Sequence, residues 1–310
     1  MKELLILIAT LFLCPYSQDK NEVELFTYWE IGNTQTLIIE EGFIEYEGSE
    51  IIKKDVSIDN VLITVLAETD STYTVEWNYI NVEYDRINID TDLEDDEFDR
   101  RLDQMFENEK YVIEINEFGE FKKMLNKEEL IAKVSDSMDV LIKEEMTELG
   151  EDAEMFGEIM KEMFSSELMM EEITRDFENY HYFLGGVYTA DTLTQYEDEY
   201  ENKLGGDPLP LKGTWSFNTD WTNMLFTFED KCVVDEEKTK NAISATINKL
   251  DKKKGEEFEK KFAENEIQIE DHEKYIYDFD YGWLKFYETK RVYITKDKTK
   301  ETFLRMRESG

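Results

Sequence analysis

The sequence predicts an α+β fold, with an antiparallel sheet formed by strands at both ends of the chain and a helical segment between them. Alternating apolar and polar residues fill both ends, and the middle carries apolar residues at three- and four-residue steps. Hydrophobic residues make up 41% of the 310 residues and aromatic residues 13%. This apolar content can build a core that offsets the chain entropy, so we expect a folded protein although the formal net charge is −39.

Alternation predicts the N-terminal strands. Residues 56–68 are apolar on both faces towards their end, and residues 72–84 alternate strictly after a turn at 69–71. Successive side chains of a strand point to opposite faces, so the second of these strands should carry an aromatic face. That face consists of Tyr73, Val75, Trp77 and Tyr79. Two shorter runs, 25–31 and 36–46, are predicted to be edge strands of the same meander.

A hairpin at 111–122 is followed by a helical region that extends to about Tyr180, and Asn126 is its expected N-cap. Eight of the twelve methionines fall in this hairpin-to-helix region. Flexible thioethers adapt to irregular apolar partners, so a methionine-rich helical layer can cover a ligand cavity. Helices that pack on a sheet need an apolar stripe in any case, and ordinary core packing is the favoured interpretation.

Strands are predicted again at 213–217 and 221–234, and after a charged helical segment at 236–264 they are predicted at 268–280, 283–295 and 301–307. The short break at Gly205–Pro210 contains the last two prolines of the chain and favours a single domain over residues 18–310. The similar pieces Tyr111–Gly119 and Tyr275–Gly282 raise the alternative of two related halves joined near residues 204–212.

Residues 1–17 have the pattern of a signal peptide. A lysine at position 2 precedes an apolar run from Leu4 to Cys14, which is too short to span a bilayer of about 30 Å as a helix. We therefore expect an exported protein, periplasmic or secreted, whose mature chain begins at Gln18. Lipidation of Cys14, with anchoring to the outer membrane, is the alternative. If Cys14 is removed with the signal peptide, the mature chain has one cysteine, Cys232, so no intramolecular disulfide is expected.

Charge and motifs exclude several functions. The chain has 74 acidic and 35 basic residues, and a protein this negative is repelled by nucleic-acid phosphates and anionic lipids. No later segment has the pattern of a transmembrane span. The acidic run Asp90–Asp99 fails the EF-hand template, and the two histidines, His181 and His272, form no zinc-protease motif. We therefore predict no enzyme activity, no metal site and no cofactor.

In its order of elements the chain resembles uncharacterised exported proteins of Gram-negative bacteria. The resemblance rests on the export signal, the hairpin motif at Asn116–Phe121 (NEFGEF), the helical insertion and the closing motif at Phe279–Leu284 (FDYGWL). It implies the open, curved half-barrel of periplasmic lipoprotein carriers, with helices packed on the concave face of the antiparallel sheet. It carries no catalytic residues to this chain, and the bulky Leu13 before Cys14 departs from the pattern of a lipid anchor.

The predicted function is that of an exported, non-enzymatic binding protein for an apolar ligand or a partner segment in the cell envelope. The alternative is an acidic structural or interaction protein of the envelope that recruits divalent cations or a basic partner. Aromatic residues on strand faces also stabilise sheets through cross-strand pairs, which is the favoured role for them. The candidate ligand-binding residues are Tyr73, Trp77, Tyr79, Met138, Met146, Met160, Met163, Tyr275, Tyr277 and Trp283.

Overall fold

A computed structural model describes residues 22–88, 109–133, 140, 166–200, 208–241 and 268–309. The predicted signal peptide with Cys14, the acidic run Asp90–Asp99 and the candidate residues Met138, Met146, Met160 and Met163 lie outside the described residues. The predictions made for them stay predictions.

The described chain is built mainly of antiparallel strands. Helical residues occur at 127–133, at Ser166–His181, which we call the central helix, and at 236–241. The strands are β1 (Glu22–Leu25), β2 (Thr34–Glu47), β3 (Glu50–Glu68), β4 (Thr72–Ile87), β5 (Lys110–Asn116), β6 (Phe121–Met124), β7 (Gly186–Thr189), β8 (Thr192–Tyr200), β9 (Leu209–Asp220), β10 (Leu225–Val234), β11 (Gln268–Asp278), β12 (Trp283–Ile294) and β13 (Lys298–Glu308).

Eleven of these strands form one sheet in the order β6-β5-β4-β3-β2-β13-β12-β11-β10-β9-β8. Strands β2 to β6 form one meander and strands β8 to β13 form the other, and successive strands pair within each. The two meanders meet where β2 pairs with β13. The remaining strands, β1 and β7, pair with each other in a two-stranded ribbon. The predicted α+β class with a curved, open antiparallel sheet is confirmed.

The contacts of the central helix and of Phe183, two residues beyond its end, reveal the curvature of the sheet. The Phe177 ring lies 5.8 Å from that of Tyr111 on β5, and the Phe183 ring lies 4.7 Å from that of Phe228 on β10. Seven strand spacings separate β5 from β10, which is about 34 Å on a flat sheet. Six residues of helix rise only about 9 Å, so the sheet bends around the helix.

Two edge-strand predictions were wrong. Residues 36–46 belong to β2, which lies in the middle of the sheet between β3 and β13. Residues 25–31 contribute only Leu25 to a strand, and that strand belongs to the separate ribbon. The local pattern could not show that the last strand of the chain would cover β2, because the pairing joins residues more than two hundred positions apart.

Two glycines allow close approaches between chain segments. Gly42 on β2 has a φ of +153°, and a Cβ there would clash with the backbone carbonyl of Asp55 on β3. Gly282, in the turn before β12, has a φ of +75°, and a Cβ there would clash with the carbonyl of Phe26. The segment after β1 can therefore cross directly over the β11–β12 turn. Among the described residues no helix is long and apolar enough to cross a bilayer.

Candidate functional site

The concave face of the sheet has a packed half, and the central helix fills it. The Trp77 ring of β4 meets the Phe177 ring at 4.8 Å and the Tyr180 ring at 5.2 Å, both edge to face. Trp77, Phe177 and Tyr180 are fully buried. Edge-to-face aromatic pairs add about 0.5–1.5 kcal/mol each beyond the area they bury, so this contact fixes the helix on β4.

Tyr180 also ties the helix to three distant strands. Its hydroxyl donates to Oε1 of Gln35 on β2 at 2.6 Å and accepts a longer bond from the backbone N–H of Leu284 on β12 at 3.4 Å. Its backbone carbonyl accepts from the hydroxyl of Tyr277 on β11 at 2.8 Å. Burial raises the pKa of Tyr180 well above its usual value. This single residue therefore joins both meanders to the central helix.

The predicted aromatic site residues of β4 and β11 lie on this concave face, and Trp283 packs against the same core from the start of β12. Tyr73, Trp77, Tyr275 and Tyr277 are at most 8% exposed and belong to the main core. Tyr79 and Trp283 are partly buried and pack against that core. The structure therefore brings these six residues together as packed side chains. Their role as ligand-binding residues stays a prediction.

Tyr79 and Trp283 each have a specific partner. The hydroxyl of Tyr79 donates to Oδ2 of Asp176 on the central helix at 3.0 Å. The ring of Trp283 stacks on that of Trp29 at 4.2 Å, with an angle of 16° between the rings. Burial raises the pKa of Asp176, against the opposing effect of the neighbouring Arg175. The tyrosine hydrogen bond therefore stabilises a carboxylate whose solvation is reduced.

Beyond the packed half, the concave face forms a cleft of about 710 Å³ between the central helix and the strands from β8 to β2. We call it the concave cleft. It is lined by Glu41, Gly42, Arg175, Asn179, Tyr196, Tyr200, Asp230, Cys232, Asp271, His272, Glu273, Tyr287, Thr289, Lys290, Arg291, Tyr293, Thr302, Phe303 and Leu304. Its lining combines tyrosine rings and aliphatic groups with charged side chains.

An ion pair crosses two neighbouring strands in this cleft. Arg291 on β12 donates from Nε and Nη2 to the two carboxylate oxygens of Asp271 on β11, both at 2.7 Å. The hydroxyl of Tyr200 donates to the same carboxylate. The Asp271 carboxylate raises the pKa of Arg291. A bidentate ion pair of this kind fixes both side chains. The charges of Asp271 and Arg291 therefore neutralise each other.

Two further carboxyl groups sit in a less polar environment. Burial raises the pKa of Asp230 and that of Glu273, and the charge of Asp230 adds to the effect on Glu273. The hydroxyl of Tyr196 donates to Asp230, with its shorter distance at 2.8 Å, and that of Tyr275 donates to Glu273 at 3.3 Å. The raised pKa values reduce the energy needed to protonate these groups.

A second ion pair holds the central helix over β2 at the cleft wall. Arg175 donates from Nη1 to Glu41 Oε1 at 3.1 Å and from Nη2 to Glu41 Oε2 at 2.7 Å. Both side chains are partly exposed, at 32% and 45%. Exposed pairs contribute little stability, about 0–1 kcal/mol. The pair therefore orients the helix more than it stabilises the fold.

Cys232 is not set up as a nucleophile. Burial raises the pKa of its thiol, and Sγ lies 3.6 Å from the hydroxyl of Tyr200. His272 instead places Nε2 3.1 Å from Glu229, and His181 places Nδ1 2.7 Å from the carbonyl of Gly119. Thiolate chemistry needs a lowered pKa, whereas the pKa of this thiol is raised. No three or more His, Cys, Asp or Glu side chains in the described ranges are grouped to hold a metal ion.

Most residues of the concave cleft are not among the predicted site residues. Residues 186–200 carry no predicted strand, although the spacing of four between Tyr196 and Tyr200 places them on one face of β8. Asp271, Glu273 and Arg291 lie in strands that were predicted, but charged residues on a strand are usually on its solvated face. The spacing of two residues, which places Asp271 and Glu273 on the same strand face as Tyr275 and Tyr277, is the sequence signal that could have identified them.

Comparisons with known proteins identify no family. No family model matches the chain, and no curated protein matches it. One similar solved structure is described as "lipid-protein interactions in lipovitellin", at 8% identity and a TM-score of 0.36. The alignment covers 91% of this chain and 25% of that one, so this chain spans about a quarter of that protein's length.

Proposed function

We propose that this chain is an exported, non-enzymatic binding protein of the cell envelope whose concave cleft holds an apolar ligand or an apolar segment of a partner. The observation that supports the proposal is the cleft of about 710 Å³ on the concave face, beside the tyrosine-rich core. Small-molecule sites commonly occupy about 300–1,000 Å³ and combine apolar walls with a few polar groups.

The chemistry of the lining favours an apolar ligand over a strongly charged one. Asp271 is already paired with Arg291, and Arg175 with Glu41. Both arginines of the lining are therefore neutralised by carboxylates of the cleft. Burial raises the pKa of Glu273 and so disfavours the charged form of this carboxyl group. Apolar contact is therefore available from the rings of Tyr196, Tyr200, Tyr287 and Tyr293 and from Leu304.

The proposal can be tested by filling the cleft. Thr302 on β13 lines it, whereas the adjacent Glu301 points to the other face of the strand. Binding of the uncharged fluorescent probe N-phenyl-1-naphthylamine is measured for the full chain, for Thr302→Trp and for Glu301→Trp. We expect saturable binding, weakened at least tenfold by Thr302→Trp and changed less than twofold by Glu301→Trp. Equal binding by all three proteins, or no saturable binding, would contradict the proposal.

Native mass spectrometry of the gently purified exported protein is a complementary test. We expect a bound apolar molecule whose occupancy falls in Thr302→Trp and persists in Glu301→Trp. Both substitutions are at half-buried positions of one strand. Circular dichroism should show that both variants keep the strand content of the natural chain, so a loss of occupancy reports on the cleft and not on folding.

A second candidate function follows from the net charge of −39. An acidic interaction protein of the envelope would attract a basic partner over several ångströms, and added salt would weaken this association. The two proposals separate experimentally, because a basic partner would bind Thr302→Trp as well as the natural chain.

A further inference from the structure

A second cavity lies outside the concave cleft, at the end of the sheet where the β9–β10 and β11–β12 turns come together. It has a volume of about 460 Å³. Three aromatic residues, Tyr28, Trp221 and Phe279, and three acidic residues, Glu22, Glu24 and Asp280, line it. We call it the ring–carboxylate cavity.

The aromatic walls are held in place by their turns. The Trp221 and Phe279 rings lie 5.5 Å apart and are nearly perpendicular, at 72°. Each follows an aspartate that organises its turn. Asp220 accepts from the side-chain amide of Asn223 at 2.7 Å and from the backbone N–H groups of Thr222 and Asn223 at 2.9 and 3.1 Å. The side-chain bond and the two backbone bonds lower the pKa of Asp220. A rigid turn reduces the entropy lost when a ligand contacts its rings.

The second turn is organised in the same way. Asp278 accepts from the backbone N–H of Asp280 at 2.9 Å, and the backbone N–H of Phe279 donates to the carbonyl of Met224 at 3.0 Å. The two turns are therefore bonded to each other. Met224 lines the cavity with a φ of +56°, a conformation in which glycine is usual. A methionine at this position provides an adaptable apolar wall that glycine could not.

The three carboxylates carry no compensating cation within the part of the chain that the structure describes. No lysine, arginine or histidine there lies within ion-pair distance of Glu22, Glu24 or Asp280, whereas Asp271 and Glu41 each have an arginine. Burial and the charge of the Glu24 carboxylate raise the pKa of Tyr28. The cavity therefore combines unpaired negative charge with aromatic surface.

We propose that the ring–carboxylate cavity binds a small alkylammonium cation. Aromatic rings attract a cation whose charge is spread over alkyl groups, and each contact contributes about 0.5–2 kcal/mol. The carboxylates add long-range attraction and repel anions. An apolar neutral ligand would leave the carboxylates unused. The proposal is independent of the ligand in the concave cleft.

The test compares two probes of the same shape on the full chain. Choline carries a positive charge, and 3,3-dimethylbutan-1-ol has the same outline without it. Isothermal titration calorimetry and tryptophan fluorescence measure both. We expect choline to bind at least tenfold more tightly than the alcohol, and its affinity to fall as salt is added. Equal binding of the two probes, or no choline binding in the millimolar range, would overturn the proposal.

Variants locate the binding. Trp221 is 44% exposed, so Trp221→Leu should fold, and we expect it to weaken choline binding at least tenfold. Glu24→Gln combined with Asp280→Asn should weaken binding and flatten its salt dependence. The matched control is Tyr281→Leu, an exposed ring next to Asp280 that does not line the cavity. An equal loss in Tyr281→Leu would overturn the assignment, and unchanged probe binding in the concave cleft would show that the fold is intact.

Discussion

His181 should make the stability of the protein depend on pH, because it is buried at the end of the central helix. Its side chain is 4% exposed and packs against the rings of Trp29 and Tyr180. Nδ1 lies 2.7 Å from the carbonyl of Gly119, so Nδ1 carries the proton in the neutral ring. Burial lowers the pKa of His181 from 6.5 to about 3.

The sign and size of the effect follow from linkage. The folded pKa lies below the unfolded one, so the unfolded state takes up a proton first as the pH falls. The contribution of His181 to stability is complete above about pH 6.5 and is lost progressively towards pH 3. Between about pH 7 and about pH 5 the free energy of unfolding should fall by about 2 kcal/mol on account of this one residue.

The assay is urea unfolding followed by tryptophan fluorescence, for the natural chain, His181→Asn and His272→Asn. Asparagine keeps an N–H donor for the Gly119 carbonyl and does not titrate. Carboxyl groups with raised pKa values, such as Glu273, act in the opposite direction but are present in all three proteins. We expect the gap in stability between the natural chain and His181→Asn to shrink by about 2 kcal/mol from about pH 7 to about pH 5. Parallel pH profiles for these two proteins would refute the reasoning.

Three other results are expected. Tyr180→Phe should lower the free energy of unfolding by about 1–3 kcal/mol in urea titrations, because the buried Gln35 carbonyl loses its donor. Gly42→Ala should destabilise by more than about 3 kcal/mol, because its Cβ would meet the Asp55 carbonyl, whereas Gly48→Ala, with open space around it, should cost about 1 kcal/mol. Added sodium chloride should raise the melting temperature by screening the net charge of −39, and calcium at fixed ionic strength should raise it further only if the carboxylates bind the ion specifically.

Local sequence patterns predicted the strand faces well, because a strand with one buried face must alternate. Tyr73, Val75 and Trp77 are buried together on β4 as their spacing predicted. The same reasoning failed for β2. Whether this strand is central or at an edge depends on its pairing with β13, which comes from the far end of the chain. The reasoning also failed for β8, where the acidic residues of 197–199 hide the alternation.

Local sequence patterns predicted the partners of individual side chains less well than they predicted the strand faces. The helix at 127–133 begins after Asn126, as predicted, but the side chain of Asn126 bonds to the backbone of β5 through Val112 N–H and the Lys110 carbonyl. The sequence does not distinguish an asparagine that caps a helix from an asparagine whose side chain bonds to the backbone of a strand. The Asp271–Arg291 pair depends likewise on the register of two strands, which no single segment specifies.

The seam between β2 and β13 has a consequence for how the protein folds. It places Leu304 opposite Glu41, residues from nearly opposite ends of the chain. Closing such a long loop is slow compared with forming local hairpins, so each meander should form before the two join. Until β13 is in place, the inner edge of β2 has unpaired backbone groups that can recruit strands from other molecules. Chains that lack β13 should therefore aggregate during folding, even if every other strand is intact.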